Sequence, residues 1–276
     1  MAFPSEKFVF MHALIYNIPA GRTEAYRAKR VILRSDSPRE IAHVLRDWDL
    51  ASVTYIQLTS LAAPVEELLC DLLPLPIDLV ISDPAEFPLL YGFAPLRASR
   101  PVRVSMPIVA DFSKAVRLAV SLGFTVKLEG AQPDDQATAE LNDTLDYYLH
   151  QPTASQPIEF FHSLFLALYH QQPVTLWDIQ EENPSYNRYV TDDGQETLAW
   201  RFSDPPFLPE KRNLLADSLE CARCDFRRSC AGYFKWPDRT YSCTGIRQLL
   251  RNLAQAVDEI KQDLAQIDQS RREKVR

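Results

Sequence analysis

VRVSMPIVADFSKAVRLAVSLGFTVKLE, residues 102–129, reads as a strand, a helix and a second strand. Val102–Met106 is a short apolar run of the kind that fits a strand covered on both faces. Asp111 is placed to cap a helix, and Gly123 to stop it. Phe124–Glu129 returns as the next strand. Two strands joined through a helix run parallel.

The same alternation extends toward the N-terminus. Phe8–Tyr16 is a continuous apolar run and is expected to be a buried strand. A loop is expected from Asn17 to about Arg34. Ser37-Pro38-Arg39-Glu40 is a helix start, with Ser as N-cap, Pro in the first position and Glu three residues on. That helix is expected to reach about Asp47. Val53–Thr59 and Ile77–Ser82 read as strands, with a helix from Pro64 to about Leu73 between them. Downstream, Asp134–His150 and Ile158–His170 read as helices. Strands alternating with helices predict an α/β fold, a partial (β/α) barrel with parallel strands. Five strands are too few for a closed eightfold barrel. Neither GxGxxG nor GxxxxGK[ST] occurs, so the usual nucleotide-binding loops are missing.

Beyond residue 150 the pattern changes. Asn187–Val190 followed by Asp192-Asp193-Gly194 reads as a hairpin. Ser203–Leu208 is a proline-rich connector. The expected division is a barrel over 1–150, a helix and hairpin connector over 151–208, a cysteine segment over 209–243 and a C-terminal amphipathic helix over 244–276. In that helix Ile246, Leu250, Leu253, Val257, Ile260, Leu264 and Ile267 recur at alternating spacings of four and three. Such a seam packs on its own domain, docks a partner or pairs with a second copy.

The chain has 276 residues, a net charge of −7 and 46% hydrophobic residues. The acidic balance argues against a nucleic-acid surface. No apolar run reaches the roughly 18 residues that a membrane helix needs. No basic leader precedes a cleavage site, so a cytoplasmic location is expected. Four of the five cysteines lie within residues 221–243. In a cytoplasmic chain such crowding points to metal rather than to disulfides. The spacing is Cys221-x2-Cys224-x5-Cys230-x12-Cys243, and four thiolates suit zinc or an iron–sulfur cluster in ligand count. Arg223, Arg227, Arg228 and Lys235 would favour thiolates.

The run Cys221-Ala-Arg-Cys224-Asp-Phe-Arg-Arg-Ser-Cys230-Ala-Gly232-Tyr resembles the SPASM segment of radical SAM peptide-modifying enzymes. The resemblance is specific over residues 221–243 and architectural over most of the chain. It implies a four-iron, four-sulfur (4Fe-4S) cluster on Cys221, Cys224, Cys230 and Cys243, with zinc as the alternative. It also implies a peptide substrate or a partner maturation enzyme. The family's CxxxCxxC motif belongs in the loop after the first strand, and here Asn17–Arg34 contains no cysteine. No SAM cleavage is therefore expected. The cysteine that would serve a second auxiliary cluster is replaced by Phe234. The chain reads as an accessory iron–sulfur protein in peptide modification or cofactor maturation. The alternatives are a non-radical barrel enzyme with a structural metal, or a zinc-stabilised interaction module.

Other candidates have plainer readings. Cys70 is read as a buried core thiol, and His12 as a histidine inside a strand. His162 and His170 share a helix face without a carboxylate to complete a ligand set. Asp78 and Glu129, at strand positions, are candidate barrel carboxylates. Tyr147, Tyr148, Tyr186 and Tyr189 supply aromatic surface for a peptide or for packing. No catalytic residue is assigned.

Overall fold

The computed structural model describes residues 14–62, 75–130, 132–197 and 219–274. Over these residues the chain is a mixed α/β protein with an eight-stranded, mostly parallel sheet, consistent with a partial α/β barrel. The strands are β1 (Ile15–Pro19), β2 (Arg30–Ser35), β3 (Val53–Leu58), β4 (Ile77–Val80), β5 (Val102–Pro107), β6 (Thr125–Glu129), β7 (Asn187–Val190) and β8 (Glu196–Thr197). Their order is β6-β5-β4-β3-β2-β1-β7-β8. All neighbours are parallel except β7 and β8, which form the expected antiparallel hairpin.

The sequence expectation of five strands falls short. Arg30-Val-Ile-Leu-Arg-Ser is a strand rather than the end of a loop, because Val31 and Leu33 pack into the core. The loop after β1 therefore closes at residue 29 and still holds no cysteine. The first described strand begins at Ile15. Residues 8–13 of the expected strand, with His12, lie outside the described residues, as do the Pro64–Leu73 helix, Cys70 and the Ser203–Leu208 connector.

The principal helices are α1 (Pro38–Leu45), α2 (Phe112–Ser121), α3 (Asp135–His150), α4 (Glu159–Tyr169), α5 (Leu176–Ile179), α6 (Leu219–Ala222), α7 (Arg227–Cys230) and α8 (Thr244–Lys274). Ser37 caps α1 by accepting from the Glu40 amide, and Asp134 caps α3 by accepting from Ala137. Asp111 does not cap α2. It is left-handed, with φ 68°, and its carboxylate pairs with Lys114 at 2.8 Å. Gly123, at φ 81°, ends that helix region against the Arg97 side chain, where a Cβ would lie 2.5 Å from Arg97.

Register divides the sheet into two unlike faces. The paired row Leu33, Ile56, Ile77, Val102 and the row Leu58, Leu79, Val104, Val126 belong to the apolar core. Burying each such side chain contributes roughly 1.5–3 kcal/mol. The intervening row reads Arg34, Gln57, Asp78, Arg103, Thr125. A sheet whose second face is this polar is not simply a packed core.

The C-terminal seam divides as well. Ile246, Leu250, Leu253 and Val257 are buried, and α8 packs on α3 and α4. Ile260, Leu264 and Ile267 are 41–48% exposed. The helix thus docks its apolar seam on its own domain as far as Val257, and Lys261 adds a contact to the Leu168 carbonyl.

Candidate metal site and polar pocket

Cys221 lies on α6, Cys224 just after it, Cys230 at the end of α7 and Cys243 just before α8. Three separate elements bring the four together: all four cysteines line one cavity, with Glu220, Arg227, Phe234 and Arg247 among its other walls. All four are free thiols, with Cys221 and Cys243 buried. The cavity has about 20 Å³ of free space, the room of about one water. Among the described residues no group of three or more His, Cys, Asp or Glu side chains is already arranged to hold a metal ion.

The turn after Cys230 is specialised. Ala231 and Gly232 are both left-handed, with φ 49° and 77°. This pair of residues turns the chain so that the backbone N–H groups of Phe234, Gly232 and Tyr233 all donate to the Cys230 sulfur. Converging amides form an anion-receiving concavity. Burial nevertheless pushes the Cys230 thiol up to about 11 and the Cys243 thiol up to about 12. Lys235 opposes the shift at Cys243. It is buried, and its ammonium meets Glu220 at 2.5 Å. Of the basic residues anticipated here, Arg227 lines the cavity and Lys235 acts on a thiol, whereas Arg223 and Arg228 do not line it; all three arginines are exposed. Glu220 and Arg247, not foreseen, complete the charged surround.

The donor set suits a thiophilic metal centre. Phe234 is a buried aromatic packed edge-on against Tyr233 at 5.3 Å.

The second site lies on the polar face of the sheet. A pocket of about 360 Å³ is lined by residues of β1, β2, β3, β4, β5, β6 and β7 and by Gln180, Glu181 and Glu182 after α5. Beneath it runs a chain of hydrogen bonds: Arg34 donates to Asn17 at 3.0 Å, Asn17 to Gln57 at 3.0 Å and Gln57 to Asp78 at 3.0 Å. Arg103 and Ser105 also donate to Asp78, at 3.0 and 2.8 Å. Arg103 meets Glu159 and Glu181, each at 3.3 Å, and Lys127 bridges Glu181 at 2.9 Å and Glu129 at 3.1 Å. The Tyr55 hydroxyl donates to Glu181 at 2.9 Å. Glu181 has a left-handed backbone, with φ 58°, a strain that fixed side-chain contacts offset.

These environments separate the carboxylates. Burial raises Glu159 to about 7. Arg103 and Lys127 outweigh burial at Glu181 and hold it far below the usual carboxylate range.

Of the sequence candidates, Asp78 and Glu129 both belong to this network. Tyr189 lines the pocket beneath Arg34, whose guanidinium lies 4.0 Å from its ring centre. Tyr147, by contrast, packs on Arg117 on α2. His162 is bonded to the Tyr148 hydroxyl at 2.8 Å, and His170 packs edge-on against Tyr169. Arg103, Lys127, Glu159 and Glu181 were missed. The visible signal was the charge at alternate positions of otherwise apolar strands, Arg103 and Lys127 above all.

No protein family, curated protein or solved structure matches the chain. Among the described residues no helix is long and apolar enough to cross a membrane.

Proposed function

We propose that the chain is an iron–sulfur protein resembling radical SAM/SPASM peptide-modifying enzymes but without SAM cleavage. Its role is that of an accessory or partner subunit in peptide modification or cofactor maturation. The observation that carries this reading is the meeting of Cys221, Cys224, Cys230 and Cys243 at one cavity, with three backbone amides aimed at the Cys230 sulfur.

These four residues would hold a 4Fe-4S cluster, which when bound supplies one-electron transfer or braces the fold. A cluster takes one thiolate on each iron, so its four ligands need not converge on one point. Tetrahedral zinc needs all four sulfurs about 2.3 Å from a single ion. The four thiols line one cavity, and among the described residues they do not form a ready-made single-ion set. Lys235 and Arg227 would offset its negative charge, and the Phe234, Gly232 and Tyr233 amides would hold the Cys230 thiolate. The cysteine-free loop of residues 20–29 supports the lack of a SAM-cleaving centre. The polar pocket supplies a place for a peptide side chain.

Anaerobic reconstitution tests the reading. The expected result is a brown protein with about four iron and four sulfide per chain. A colourless protein with one zinc would sink it. Tight SAM binding with reductive cleavage would refute the accessory role.

One observation favours a second reading, a barrel enzyme of non-radical chemistry with a structural metal. Glu159, raised to about 7 beside Arg103, could hold or release a proton near neutral pH.

A further inference from the structure

We propose that the polar pocket is a binding site for a primary ammonium group on an aliphatic stem, the chemistry of a lysine side chain. The argument rests on which charges are already satisfied and which still face the cavity.

The cations are satisfied from within. Lys127 is only 8% exposed in its side chain and lies between Glu129 and Glu181. Arg34 is 7% exposed and donates to the Asn17 and Val190 carbonyls, the Asn17 side chain and Asp192. Arg188 also borders the pocket, but it pairs in register with Tyr16, on the face opposite Asn187 and Tyr189. Its guanidinium turns back to the Pro184 and Asn187 carbonyls.

The carboxylates are not enclosed to the same degree. Glu129 and Glu181 keep 22% and 29% of their side chains exposed, and both line the cavity. Lys127 joins them, so both lie within reach of one small cation. Buried cations neutralise Glu181 in part, and Glu129 bonds Lys127 through Oε1. Glu181 already holds Arg103, Lys127 and the Tyr55 hydroxyl, so the carboxylate chiefly left to an entering cation is Glu129. Ile15, Ile32 and Val80 supply apolar wall nearby, suited to methylenes rather than to a compact hydrated ion. A volume of about 360 Å³ exceeds a single side chain and leaves room for flanking main chain.

The inference deepens the peptide-binding part of the proposed function. It does not depend on a metal at the cysteines, so the two fail separately: metal analysis tests one and the titration below tests the other.

The experiment is calorimetric titration of the full chain with Nα-acetyl-lysine methylamide, beside free lysine, cadaverine, the Nε-acetylated compound and Nα-acetyl-glutamate methylamide. Binding is expected for the first compound, with a loss of about tenfold or more on Nε-acetylation. Glu129→Gln should weaken the same ligand by a similar factor while leaving the melting temperature near that of the parent. Cadaverine binding as tightly as the blocked lysine assigns the site to free amines, and tighter binding of the blocked lysine assigns it to a peptide. Equal binding of the Nε-acetylated or glutamate compound overturns the proposal. So does no detectable binding of any amine at roughly 1 mM. Because the ligand series alone decides the charge requirement, the test survives a variant that fails to fold.

Discussion

The indole N–H of Trp177 donates to the carbonyl oxygen of Ala231 at 3.0 Å, and this bond ties the two candidate sites together. Ala231 is the left-handed residue that turns the backbone amides onto Cys230. Trp177 is fully buried on α5 and packs edge-on against Tyr233 at 5.1 Å. Four residues later the chain reaches Glu181 in the polar pocket, and the Glu182 amide donates back to the Trp177 carbonyl at 2.9 Å.

Trp177→Phe keeps much of the packing but leaves the Ala231 carbonyl without this donor. A loss of about 1–3 kcal/mol is expected, read as a lower denaturant midpoint. Reconstituted protein should also lose iron to a chelator faster than the parent. Unchanged midpoint and iron release would remove Trp177 as a brace for the cysteine turn.

Ala231→Gly should be neutral or stabilising, because a left-handed alanine carries roughly 1–2 kcal/mol of strain that glycine does not. Ala231→Val should be destabilising, since branching at Cβ worsens the same clash. Thermal melts of the pair compare one backbone angle with two side chains. A valine variant as stable as the glycine variant would contradict the left-handed turn.

Single serine replacements at Cys221, Cys224, Cys230 and Cys243 should each sharply reduce bound metal. Cys70→Ser should leave it unchanged. Metal content normalised to folded protein decides the matter, and a Cys70 effect equal to the others would break the four-residue assignment.

The pH dependence of stability carries the mark of Glu159. Its folded value of about 7 lies above the ordinary 4.5. Between those values the folded chain holds a proton that the unfolded chain has released. This contribution is fully present below the unfolded value and is lost as pH rises through the folded one, by at most about 3 kcal/mol. Glu181 is shifted down, so its contribution is present above its unfolded value and is lost as pH falls toward the depressed folded one. Denaturant titrations at a series of pH values should show a smaller decline from pH 5 to 8 in Glu159→Gln than in the parent. Equal slopes would contradict the raised value.

Truncation after Lys261 should leave the fold intact, because Ile246, Leu250, Leu253 and Val257 remain. Leu250→Asp should unfold the chain at a cost on the order of 3 kcal/mol or more. The exposed stripe is Ile260, Leu264 and Ile267, and the truncation removes the last two. If the parent self-associates through this stripe, the truncated chain should be monomeric by light scattering. A parent and truncated chain with the same number of copies would rule that stripe out.

Much of the strand–helix alternation could be read from local pattern. Val102–Met106 and Phe124–Glu129 became β5 and β6 within a residue or two, and Ser37 and Asp134 cap the helices that they were expected to start. β2 was missed because three apolar residues between arginines do not stand out until neighbouring strands bury them. The four cysteines were visible as a spacing. They were expected to meet at one centre, and the fold brings all four to one cavity; Glu220 and Arg247 among its other walls were not visible in the spacing.

The sequence by itself determined the elements whose causes are local: apolar runs, caps, turns, the cysteine spacing and the heptad seam. Tertiary structure alone decided which strand face became polar, which acids stay partly exposed and where the seam stops being buried. Arg103 and Glu181 are 78 residues apart, and no local pattern couples them. Their pairing depends on register across the sheet and on a left-handed backbone after α5, and both are set by packing at a distance.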